Sequence, residues 1–364
     1  MRKSGDRLRI TAELADVESD RCLGSQRFDR RLEDVFHVQE EIAEHVAAAL
    51  SEELGEAAAA ARRRAPTENV EAYEHYLRGR LLFYRYNRRG VEQARLMFAR
   101  AAEIDPGYAL AHAGLADCCT YLFMHVFGQD PMRGLALESA RRAVELDANL
   151  AQAHVSLGLA LSLGRDHAAA ELEFERALEL DPQLFEAHYF YARDSFIQDQ
   201  REKALTLYQR ARELRPEDYQ APLLMGQIHD DLGHPELAAE ARRAGVRAAE
   251  TRLAFQPDDV RARYMGANGL VALGDRERGL EWAQRAFALA PDDAMMLYNL
   301  ACISAMAGRR DEALAFLERA VRAGMNFVQW LRMDSNLDPI RDDPRFTAVV
   351  RALESDAGTP RPGA

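Results

Sequence analysis

The feature that most constrains this chain is a beat. Ala170, Phe174, Ala177 and Pro182 return 34 positions later as Ala204, Tyr208, Ala211 and Pro216. Pro257 and Pro291 are again 34 residues apart. The letters between these markers change while the side-chain volumes do not. Small, large, small at helical spacing is what two helices need when they pack closely with one ring filling the gap. An earlier beat in each period points the same way. Leu157 and Gly158 recur as Tyr191 and Ala192, as Met225 and Gly226, and as Leu300 and Ala301. A glycine inside a helix costs about 1 kcal/mol relative to alanine, so its return marks a crossing where a side chain would collide.

Seven such units fit between Asn69 and Met325. The first closes at Pro106 after Ala94, Phe98 and Ala101, and the second carries Ala136, Ala140 and Ala143 with a long inter-helix loop over residues 123–134. The fifth is 41 residues long, from Pro216 to Pro257, which predicts a longer second helix. The seventh lacks its closing proline. No unit can bury its apolar face alone, so the array is expected to fold as a nearly one-dimensional stack with caps.

The pattern resembles the tetratricopeptide repeat, in which a helix, a turn and an antiparallel helix close on a proline. That resemblance implies an all-α solenoid at residues 69–325 whose first helices line a groove that takes a protein or peptide partner. The groove positions are Tyr73, Tyr76, Arg80, Tyr84, Tyr121, Tyr189, Arg193, Phe196, Tyr264, Asn268 and Tyr298, interleaved with Asp117, Glu186, Asp230, Asp231 and Arg261. Tyrosine and arginine are favoured at binding hot spots. The lysine and asparagine clamp that some relatives use for a peptide carboxylate is not reproduced, which argues against a chaperone-tail partner.

Flanking segments break the rhythm. Residues 7–14 alternate Leu8, Ile10, Ala12 and Leu14 against Arg7, Arg9, Thr11 and Glu13, the pattern of a half-buried strand. Residues 22–30 read as its antiparallel partner and 32–54 as an amphipathic helix. Together they make a short α/β element at 1–56, joined by a linker at 57–68. Capping helices are expected at 326–354, with a pair from Asp334 onward, and a disordered tail at 355–364. "RFDRRLEDVFHVQEEIA" and "DPIRDDPRF" resemble the TolB-like linker and repeat region that follows the catalytic domain of bacterial class III adenylate cyclases, and that also follows winged-helix domains in some regulators. The resemblance implies a regulatory or signalling role. It carries over neither cyclase metal-binding carboxylates nor a recognition helix, since no residues here match them. An unpaired strand at Arg7–Leu14 would also allow self-association by strand completion.

Composition bounds the rest. The 364 residues carry 47 basic and 59 acidic side chains, a net charge of -12, which repels phosphate backbones and anionic membranes; no nucleic-acid or membrane partner is expected. Four cysteines without paired spacing favour a reducing, cytoplasmic setting. His112, His154 and His188 share one phase of three units. Helices 8–10 Å apart, roughly, cannot bring three such rings onto one metal ion at roughly 2 Å, so packing is the expectation. Cys118 and Cys119 read as small core residues. No P-loop, nucleophile elbow or zinc motif occurs, and no cofactor, metal or enzymatic activity is expected.

Overall fold

The computed structural model describes residues 2–4, 7–16, 21–31, 67–84, 87–125, 130–325 and 328–357. Two compact units divide the chain, residues 1–75 with 100–108, and residues 76–99 with 109–364.

In the first unit β1 (Arg2–Ser4), β2 (Arg7–Asp16) and β3 (Arg21–Arg31) form an antiparallel sheet in the order β1-β2-β3. The β2–β3 pairing sets Ile10 opposite Phe28 and Leu14 opposite Gly24, with an irregularity between Leu14 and Ala15. The expected hairpin is therefore present. β3 runs along one side of its first strand, and β1 covers only Arg7, Leu8 and Arg9 on the other. The helix expected at 32–54 and residues 57–66 of the linker lie outside the described residues. In the same unit Thr67 donates to Asp105 at 2.5 Å, and the Asn69 side chain accepts from the Ala72 amide, starting the first helix.

The helices are α1 (Val70–Phe83), α2 (Arg88–Ile104), α3 (Ala109–His125), α4 (Asp130–Leu146), α5 (Ala151–Leu163), α6 (His167–Leu180), α7 (Phe185–Ile197) and α8 (Arg201–Leu214). They continue as α9 (Gln220–Asp231), α10 (Pro235–Phe255), α11 (Val260–Ala272), α12 (Arg276–Leu289), α13 (Ala294–Met306) and α14 (Arg310–Arg322). These are the helix pairs that the beat predicted. The 41-residue unit carries its extra length in the 21-residue α10. The second unit is shorter in loop than expected, since α3 runs through His125 and α4 starts at Asp130.

In the second unit the beat is a packing rule in fact. Phe174 and Tyr208 are almost wholly buried between alanines with no exposure at 170, 177, 204 and 211. A Cβ added at Gly79 or Gly158 would meet the ring of Phe98 or Phe174 at 2.8 Å. The turns repeat too. His154 Nε2 lies 3.0 Å from the Ala148 carbonyl and His188 Nε2 3.0 Å from that of Pro182, while Arg263 donates to the Pro257 carbonyl in the same relation. His154 and His188 are thus turn clamps. His154 Nδ1 also pairs with Glu173 at 2.6 Å, and that bond raises its pKa. Cys118 and Cys119 are buried and free of disulfides. Helices α3, α5 and α7 stand side by side, as do α9, α11 and α13, and α3 reaches α13 from the far end of the row.

The carboxyl end departs from a simple cap. α15 (Val328–Met333), a 3-10 helix (Ser335–Ile340) and α16 (Pro344–Ala357) cover α13 and α14, burying Leu331, Leu337, Ile340 and Phe346. α16 runs three residues past the expected end of ordered structure. Residues 330–336 continue inward, where Gln227 donates to Asp334 at 2.9 Å and Ser335 to Asp231 at 2.7 Å.

Candidate binding cavity

First helices pack their second-helix neighbours with one face and so present the opposite face inward. Tyr189, Tyr264 and Tyr298 sit at the same place in their repeats, and all three are buried. Over this wall lies the 330–336 segment, which meets α7 at Arg193, α9 at Gln227 and α13 at Tyr298. Between segment and helices remains a cavity of about 170 Å³, into which Tyr189, Arg193, Phe196, Tyr264, Asn268 and Tyr298 all project. Sequence reasoning named these six. It missed Tyr208, Gln227, Asn299, Trp330, Met333 and Asp334, which line the same space. Trp330 and Asp334 stand in the rhythm-breaking stretch, a signal that the segment is special but not where it goes.

The cavity wall is polar at chosen points. Asp334 accepts from the Tyr298 hydroxyl at 2.6 Å, from Gln227, from the Asn336 amide at 3.0 Å and from Cys302 at 3.4 Å. Burial nevertheless raises its pKa. Arg261 donates to the Tyr189 hydroxyl at 3.3 Å, and its Nε is enclosed without an acceptor. The Arg193 guanidinium lies 5.2 Å from the Trp330 ring centre, and its pKa is lowered first by burial and also by Arg261.

The remaining predicted residues lie apart. Tyr73 belongs to the first unit and is half-buried. Tyr76 packs 5.6 Å from Phe98, and burial pushes its hydroxyl up to about 12. Arg80 is exposed, donates to the Tyr84 hydroxyl at 3.1 Å and covers the rings of Tyr76 and Tyr84. Tyr121 is buried against Phe83 at 6.5 Å. The mixed charges expected to face a partner are instead engaged internally. Glu186 pairs with Arg215 at 2.9 Å, Asp230 with Arg242, and Asp231 with Arg201; Asp117 accepts from Ser156 at 2.6 Å. Each is half-buried or next to a cation, so internal pairing costs less than leaving the charge to wait.

Comparison with known proteins bears on the repeat fold. Tetratricopeptide-repeat family profiles match residues 151–184 and 264–326. The chain carries tetratricopeptide repeats. A relative from Rhizobium meliloti (strain 1021), "Putative adenylate cyclase 3", is 34% identical over 173 residues, 47% of this chain and 30% of its own length. The chain thus spans under a third of that relative. Among solved structures, an IFIT1 monomeric mutant with Gppp-AAAA aligns with 90% of this chain and 76% of its own, at 16% identity and a TM-score of 0.55. A human IFIT1 dimer with PPP-AAAA aligns with 89% and 74%, at 17% identity and 0.54. At such identity the likeness speaks to the repeat fold alone. Among the described residues no helix is long and apolar enough to cross a membrane, and no group of His, Cys, Asp and Glu is placed to hold a metal ion.

Proposed function

We propose that the chain is a non-catalytic protein-interaction scaffold in bacterial-type signalling, holding a segment of a partner protein at the amino-terminal end of its repeat row. The observation that carries this is on α1 and the residue that follows it. Leu77, Leu81 and Tyr84 are 43%, 68% and 40% exposed at successive helical turns, with Arg80 among them. An apolar stripe with an arginine and a tyrosine is the composition of a binding hot spot, and a helical or extended peptide laid along it would bury that stripe. The inward residues from Tyr189 to Tyr298 serve a peptide less well, because the protein's own 330–336 segment already lies on them. Affinity capture with the full chain as bait, followed by mass spectrometry, tests the reading. The double variant Leu81→Asp with Tyr84→Ala should release the captured protein while helicity stays unchanged; capture at the wild-type level by that variant rejects the surface.

A second reading is favoured by the similarity to the Rhizobium relative, that the chain is a regulatory portion working with a class III adenylate cyclase. Added to the catalytic domain of that relative, it should change cyclic AMP output. A winged-helix regulator would instead show no such response.

A further inference from the structure

We infer that the cavity under residues 330–336 is a binding site for a small aryl anion, a flat apolar ring bearing a carboxylate or a phosphate. Two guanidinium groups, Arg193 and Arg261, enter it, and among the described residues neither forms an ion pair with a carboxylate. Both side chains are half-buried, and drawing a cation partly out of water without a counter-charge is unfavourable, the more so with a second cation beside it. The carboxylate that shares their wall, Asp334, is taken by donors from Tyr298, Gln227, Cys302 and the Asn336 amide. The counter-charge therefore comes from outside the chain.

Two buried polar atoms support the same conclusion. Arg261 Nε and the Tyr208 hydroxyl belong to cavity-lining residues, are shielded from solvent and have no hydrogen-bond partner. Buried polar groups are almost always satisfied, and an oxyanion accepts from both. The room suits the class. A cavity of about 170 Å³ compares with roughly 10–15 Å³ for each enclosed water on the same measure, space for on the order of a dozen water-sized atoms. The rings of Tyr189, Tyr264 and Trp330 give the apolar body aromatic surfaces to pack against. Met333 and Asn336 line this cavity on one side and a second cleft of about 870 Å³ on the other, so the segment separates the two. A bound anion would tie residues 330–336 to α7 and α11, which makes the carboxyl-terminal cap responsive to a metabolite. This goes beyond the scaffold reading and stands without it, since the binding is read on the chain alone.

The test is isothermal titration and thermal unfolding of the full chain with phenyl phosphate and benzoate, and with phenol and benzamide as neutral counterparts. At least one anion should bind and raise the melting temperature, and the stronger of the two identifies the headgroup; the neutral compounds should do neither. Arg193→Met and Arg261→Met should each weaken binding about tenfold or more, and Tyr208→Phe a few-fold. No response to either anion at millimolar concentration, or equal response to the neutral compounds, overturns the proposal. If the methionine variants lose helicity, Tyr208→Phe decides, and unchanged affinity in that variant also overturns it.

Discussion

Arg80 and Arg193 hold the same place in their repeats, each one residue after the small residue at the helix crossing, Gly79 and Ala192. Arg80 stands in solvent, resting on Tyr76 and Tyr84. Arg193 is half-buried against Trp330. Nothing in the local sequence distinguishes them. The difference is supplied by a segment distant in sequence from Arg193, and the hydrogen bond from Gln227 to Asp334 spans 107 positions. In a repeat protein, then, the rhythm decides which side chains point inward, and the non-repeating parts decide whether inward means open or closed.

The most severe way to break that contrast is to cut the segment loose. Asp334→Ala removes the acceptor of the Tyr298 hydroxyl and the Gln227 amide, and should lower stability by roughly 2–4 kcal/mol in urea unfolding; a loss below about 1 kcal/mol would mean that the segment is held by something else. Next in size is a titration on α3. Burial raises the Asp117 carboxyl from 3.8 to about 7, although Ser156 donates to it. Between those values the unfolded chain has released a proton that the folded chain keeps, so stability falls as pH rises through the window and stays reduced above it. Asp117→Asn should flatten this slope and raise stability at pH 8 by about 1–2 kcal/mol, read from unfolding curves across pH.

The arginines themselves sharpen the comparison. Arg193→Met replaces a half-buried cation without a carboxylate partner by a side chain of similar length and should stabilise the chain by about 1 kcal/mol. Arg80→Met, at the exposed counterpart, should stay within about 0.5 kcal/mol of wild type. Equal effects at both positions would erase the distinction. Smallest in stability is Leu81→Ala, expected to leave the melting temperature unchanged while weakening partner capture.

Much of the fold was legible because the beat is local. Phe174 between Ala170 and Ala177 announces a helix pair within a dozen residues, the extra seven residues before Pro257 announce a long helix, and alternation from Leu8 to Leu14 announces a strand. β1 was missed because three residues carry too short a pattern. The site was legible only by half. Repeat phase placed Tyr189, Arg193 and Tyr264 on one wall, but Trp330 and Asp334 form the facing wall through long-range contacts that no period encodes. Tyr208 was read as a packing ring, which it is, yet its hydroxyl meets no protein partner.

The approach of α3 to α13 bears on how this molecule can change over time. An open row of repeats tolerates duplication or deletion of a unit, since only neighbours feel it. A row whose second and seventh hairpins touch cannot gain or lose a member without parting them, so its length is under selection even where its letters are not.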